Sequence, residues 1–187
     1  DPAGTPHVAV VSGSSGMFYA LLTADGWADT RLVRDAPSDS LVALALDSRG
    51  RPHLALNARG AVGYIHRTNG QWQAEELGAA RTIREPAIAL DDADRPAVAY
   101  EDPHGRAVLA RRGPDGTWAT SSADVAGPGY GLNLALDALD QAHVALDAQL
   151  ADGQHEIQVL TSDGGSWRRS DLPDPFATTF FRLALDA

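Results

Sequence analysis

Apolar and polar positions along the chain fall into short runs, and none sustains the 3.6-residue period of a useful helix. Four runs end alike: Ala43-Leu44-Ala45-Leu46-Asp47, Ala87-Ile88-Ala89-Leu90-Asp91, Asn133-Leu134-Ala135-Leu136-Asp137 and Arg182-Leu183-Ala184-Leu185-Asp186. Each is apolar on both strand faces, as a strand packed on both sides requires. In the second such unit, strands are predicted at Leu41 to Leu46, His53 to Asn57, Val62 to Arg67 and Trp72 to Leu77. Between the first two lies Asp47-Ser48-Arg49-Gly50-Arg51, a tight turn in which the aspartate can bond backbone amides and glycine can take a positive φ. Thr68-Asn69-Gly70-Gln71 carries the Asn-Gly hairpin signal.

The same pattern recurs along the whole chain. The aspartates are 44, 46 and 49 residues apart, and Asp1 extends the series 46 residues before Asp47. A second landmark opens the next strand, at Pro6-His7, Pro52-His53, Pro96-Ala97 and Ala142-His143. A third is a tryptophan after a turn, at Trp27, Trp72, Trp118 and Trp167, spaced by 45, 46 and 49. Four short antiparallel strands in each such period make a propeller blade. The expected fold is therefore an all-β β-propeller of four repeats of four antiparallel strands. It forms one domain over 1–187, with repeats at approximately 1–39, 40–83, 84–129 and 130–177 and a closing strand at 178–187. That last strand, Phe180 to Asp186, is expected to pair beside His7 to Val11, either closing a four-bladed ring or leaving the chain as half of a larger propeller.

Composition narrows the function. The formal net charge of −10 disfavours a phosphate backbone as partner, so nucleic acid is not expected. All 15 residues in the Lys+Arg count are arginine, and cysteine is absent, which removes disulfides and thiolate metal sites. No apolar run approaches the roughly 18–20 residues of a membrane span, and the chain opens on Asp1-Pro2-Ala3-Gly4 without a signal-peptide pattern. An acidic, cysteine-free, repetitive all-β chain leans toward an exported bacterial protein, secreted or periplasmic, with the cytoplasm equally compatible with the composition.

Most chemistry-bearing residues sit at repeat positions, and that argues for structural work. His7, His53 and His143 are equivalent in different blades, so they belong to separate seams and are expected to bond their own repeat's aspartate or backbone. Asp47, Asp91, Asp137 and Asp186 are expected to organise turns, and Trp27, Trp72, Trp118 and Trp167 to anchor blade edges. Asp91-Asp92-Ala93-Asp94 with Glu101-Asp102 is the richest acidic cluster, but it lacks the ligand spacing of a calcium loop. No metal and no cofactor is expected. The residues leading into the first strands differ from blade to blade. They are Asp39 and Ser40, Arg84 and Glu85, Tyr130 and Asn133, and Thr179 and Arg182. Inner strands of a propeller line its axis, so these converge on one mouth. The expected ligand site is Ser40, Arg84, Glu85, Tyr130, Asn133 and Arg182, with the arginines as donors, Tyr130 as a stacking surface and Glu85 and Asn133 orienting the ligand.

The blade pattern from Ser40-Leu41 through Gly50-Arg51-Pro52-His53 to Gly70-Gln71-Trp72 resembles repeats of bacterial, often exported, β-propeller-repeat proteins. Thr161-Ser162-Asp163-Gly164-Gly165-Ser166-Trp167 resembles a shortened Asp-box of sialidase-like propellers, and Pro114-Asp115-Gly116-Thr117-Trp118 does so more loosely. The resemblance implies a fold and is nearly silent on activity. No G-x-S-x-G, H-E-x-x-H or phosphate loop is present. The expected function is a non-enzymatic binding or scaffolding module for a glycan, peptide or protein partner, with further blades from the same or another chain also in play. The alternative is a polysaccharide-acting hydrolase or lyase of sialidase-like type.

Overall fold

The computed structural model describes all residues except 35, 38, 83, 126, 128, 164–165, 175–180 and 186–187. It is an all-β, propeller-like arrangement of antiparallel sheets, one per repeat. The first blade has three strands, β1 (His7–Ser12), β2 (Gly16–Thr23) and β3 (Gly26–Val33). The second has four, β4 (Leu41–Leu46), β5 (Pro52–Ala58), β6 (Ala61–Thr68) and β7 (Gln71–Ala79). The third is β8 (Ala87–Leu90), β9 (Pro96–Glu101), β10 (Ala107–Arg112) and β11 (Trp118–Ala123), and the fourth is β12 (Gly129–Leu136), β13 (Ala142–Gln149), β14 (His155–Ser162) and β15 (Trp167–Asp174). Strands follow one another in sequence order across each sheet. The four strands expected in the second repeat are all present, each reaching the expected bounds or one or two residues beyond them.

Strand alternation glues the blades together. Leu54, Leu56 and Ile65 of the second blade pack with Met17 of the first. From the opposite face of the same sheet, Ala55, Val62 and Tyr64 pack with Val98, Tyr100, Val108 and Ala110 of the third. The third blade then turns Ala97, Ala99, Ala107 and Leu109 onto Val144, Leu146 and Leu160 of the fourth. The core is thus three inter-blade seams. The inner strands run in series, β4 beside β8 and β8 beside β12, while β1 packs against β4.

The repeat aspartates do the work their position predicts. Asp47 Oδ1 accepts the amides of Arg49 and Arg51 at 2.9 and 2.7 Å, Asp91 those of Ala93 and Arg95, and Asp137 those of Leu139 and Gln141. Asp1 does the same for Ala3 and Thr5. Each turn has one left-handed residue at the same place: Gly4, Gly50, Asp94 and Asp140, with φ of 79°, 75°, 60° and 60°. Aspartate tolerates that region better than most side chains. Asp94 is also held from the neighbouring blade, where the Ser48 amide and hydroxyl donate to its carboxylate at 2.8 and 2.6 Å. Asn69 and Gly70 both have positive φ, as a type I′ hairpin requires.

At the chain's end, residues 181–185 carry no strand, and the expected closing partners Phe180 and Asp186 lie outside the described residues. The first sheet is three-stranded, and Val8 and Val10, on the face of β1 turned away from the second blade, are 42% and 47% exposed.

Candidate functional site

The repeat histidines form a recurring relay between a hydroxyl or phenol and the turn aspartate. His53 Nδ1 lies 2.5 Å from the Tyr64 hydroxyl, and its Nε2 faces the Asp47 carboxylate at 3.6 Å. His7 repeats this with Tyr19 at 2.6 Å and Asp1 at 3.4 Å, and His143 with Thr161 and Asp137, both at 3.1 Å. An aspartate at Nε2 favours the proton there, so Nδ1 accepts from the hydroxyl. Burial holds His7 and His53 below the usual histidine range, partly opposed at His53 by Asp47. In the third blade Ala97 replaces the histidine, and Asp91 takes Arg95 at 2.6 Å. The acidic cluster is dispersed in the same way: Glu101 accepts from Arg81 and Arg84, and Asp102 from Arg106.

The expected mouth is partly assembled. Glu85, Asn133 and Arg182 line one groove of about 330 Å³ together with β4, β8 and β12 residues, and Asn133 Nδ2 donates to the Phe181 carbonyl at 3.2 Å. Arg84 turns aside to Glu101 at 3.2 Å, and its carbonyl accepts from the buried Asn57. Ser40 is buried, and its hydroxyl has no partner among the described residues. Tyr130 is described in its backbone only, opening β12, and Asp186 lies outside the described residues, as do Gly164 and Gly165 of the Asp-box-like turn.

A second cluster, not anticipated from the sequence, sits on the seam between the second and third blades. Glu75 of β7 accepts from Arg112 Nη1 at 2.7 Å and from Trp118 Nε1 at 3.0 Å, with His66 Nε2 at 3.4 Å. Arg112 lies over the rings of Tyr64 and Trp118 at 5.7 and 5.6 Å, and those rings meet edge to face at 5.1 Å. Burial pushes the Glu75 carboxyl up, but the bonds from Trp118 and Arg112 prevail and hold it below its usual range. Burial, reinforced by Arg112, keeps His66 low. Tyr64, His66 and Arg112 line an open groove of about 430 Å³ with the Ala93–Pro96 turn of the third blade. That volume falls in the range of small-ligand sites.

The other seams lack parts of this cluster. Register places Thr30 opposite Tyr19, Glu75 opposite Tyr64 and Ser121 opposite Leu109. Trp72 packs edge to face on Tyr19 at 5.1 Å, but Thr30 stands where the glutamate would be. At the third seam Ser121 takes that place, and Trp167 Nε1 is buried with no partner among the described residues. Trp27 is 54% exposed and so does not anchor as expected, because no tyrosine-bearing blade precedes it among the described residues. The signal that could have revealed the site is Glu75, where the other repeats place Thr30 and Ser121, but its partner Arg112 repeats Arg67 of the second blade and lies 37 residues away in a different blade.

No family model and no curated protein sequence matches the chain. Solved structures do. The lectin SapL1, determined in complex with alpha methyl fucoside, superposes with a TM-score of 0.65 at 14% identity over 91% of this chain. A triple arginine-to-alanine mutant of AofleA from Arthrobotrys oligospora gives 0.61 at 13% identity over 90%. A bifunctional GH43-CE protein of Bacteroides eggerthii gives 0.52 at 14% identity over 89% of this chain and 26% of its own. The chain spans 62% and 57% of the lengths of the first two. At such identities the likeness establishes a shared propeller-like all-β fold.

Proposed function

We propose that the protein is a carbohydrate-binding propeller and that it takes a sugar ring in the groove between its second and third blades. The observation that carries this reading is the Glu75–Arg112–Trp118 cluster beside the Tyr64 ring. There the Arg112 guanidinium and the His66 imidazole line the groove, with Glu75 bonded behind Arg112 and the buried Tyr64 ring beneath it. Sugars suit such a groove, because their hydroxyls take directional hydrogen bonds from fixed polar groups. Arg112 is fixed before binding by its Nη1 bond to Glu75 and by its place over Tyr64, so little ordering cost remains when a ligand meets it. The fucoside complex of SapL1, a structure of the same fold, supports a glycan as the ligand class.

A second reading rests on the inner-strand groove, where Glu85, Asn133 and Arg182 meet. One experiment separates the two: saccharide binding by calorimetry for the protein, for Arg112→Gln and for Arg182→Gln, with circular dichroism as the fold control. Loss of binding in Arg112→Gln alone supports the seam, and loss in Arg182→Gln alone moves the site to the inner strands. Absence of saccharide binding by the unmodified protein sinks both.

A further inference from the structure

The seam groove is cationic at its surface in a chain that is acidic overall. Arg51, Arg67, Arg95 and Arg112 line it against one lining carboxylate, Asp94, although the formal net charge is −10. Asp94 is already engaged by Ser48. Asp47 and Asp91, which pair with Arg51 and Arg95, do not face the groove, and Arg95 also reaches the exposed Asp140 carboxylate at 3.7 Å. Asp47 and Asp91 are buried beneath their turns, accepting backbone amides, while the guanidinium side chains are 52% and 36% exposed. These ion pairs therefore stand on end, cation outward. Arg67 donates from Nε only to the Gly70 carbonyl at 3.1 Å, and no carboxylate among the described residues pairs with it. A neutral sugar satisfied by Arg112 and His66 leaves this rim of guanidinium groups unused. A carboxylate or sulfate on the sugar meets it with charge-assisted bonds, which are shorter and stronger than neutral ones. The overall negative charge does not cancel this at contact range, because screening confines distant charges to about 8 Å at physiological salt.

We propose that the groove selects an anionic saccharide, with its ring on the Arg112 and His66 side and its carboxylate or sulfate on the rim of Arg51, Arg67 and Arg95. The inference rests on the carbohydrate reading above and adds the ligand's charge.

The test is calorimetric titration with a methyl glucuronide and a sulfated methyl galactoside, each beside its neutral parent glycoside, at low and high salt. The expected result is that at least one acidic sugar binds about tenfold more tightly than its neutral parent at low salt and that the advantage shrinks in high salt. Which acid gains tells a carboxylate site from a sulfate site. Arg67→Gln is expected to lower the acidic sugar's affinity several-fold and to leave the neutral parent's unchanged. Equal binding of acidic and neutral sugars, or a preference that ignores salt, overturns the proposal. If neutral sugars bind and Arg112→Gln abolishes that binding, the carbohydrate reading survives this failure. If no sugar of either kind binds, both fall together.

Discussion

Replacing Tyr64 by phenylalanine deletes one oxygen atom from the best-connected point of the fold. Tyr64 is almost wholly buried, and its hydroxyl is the partner of His53 Nδ1 at 2.5 Å. The ring keeps its seam packing in the variant, so no large cavity opens and the loss is chiefly polar. His53 is itself buried, and its Nδ1 lone pair would face a hydrocarbon edge. A buried acceptor stranded in this way costs about 1–3 kcal/mol. For a chain of this length each kcal/mol lowers the melting temperature by about 2–4 °C, so Tyr64→Phe should melt roughly 2–12 °C lower. Tyr100→Phe is the matched control. Tyr100 is also buried, but its hydroxyl reaches only the Leu77 carbonyl at 3.5 Å, so its variant should lose much less. Differential scanning calorimetry of the two variants at pH 7.5 settles the matter. If Tyr64→Phe melts with the parent, or no lower than Tyr100→Phe, the relay is not a stabilising element.

Trp72→Ala removes an indole packed on Tyr19 and should cost about 2–4 kcal/mol in chemical unfolding, whereas Trp27→Ala, at an exposed indole, should cost under about 1 kcal/mol; equal losses would deny the seam its role. Acid should weaken the fold in two stages. His7, His53 and His66 have depressed pKa values in the folded protein, so their contribution is complete above the unfolded value of about 6.5 and declines as pH falls below it. Asp47 and Asp102 are held below their usual range, where bonds from Arg51 and Arg106 outweigh the upward push of burial, so their contribution declines below about pH 4. A melting temperature flat from pH 7.5 to 5.5 would contradict the histidine part. Ser121→Glu should supply the missing partner of Trp167 Nε1 and leave the protein at least as stable as its parent; a marked loss of stability would show that the third seam has no room for the cluster.

Much of this architecture was legible in the residues, and the part that was not failed for a physical reason. Asp47, Asp91 and Asp137 announce their turns because an aspartate caps amides two and four residues along the same chain. His53 could be assigned to Asp47 because both lie in one repeat at fixed separation. The seam site escaped because it is built across blades: Glu75 belongs to the fourth strand of one sheet, while Arg112 and Trp118 belong to the next. Trp118 was read as an edge anchor from its period, which is half of what it does, since the period does not reveal which indole finds a carboxylate. Arg84 breaks the repeat and is expected to donate to a ligand; the structure pairs it with Glu101, itself a repeat-breaking residue where the other blades place Val11, Asn57 and Asp147, and both line a pocket with Glu85.

The four indoles, one per repeat, occupy four different settings: Trp27 in solvent, Trp72 against a tyrosine edge, Trp118 with its N–H on a carboxylate and Trp167 with its N–H buried and without a partner among the described residues. Indole emission responds to such surroundings, so the chain carries its own set of optical labels, one to a blade. Single-tryptophan variants would let each blade's melting be followed separately, and a ligand entering the second seam should shift the colour of Trp118 while leaving that of Trp27 untouched.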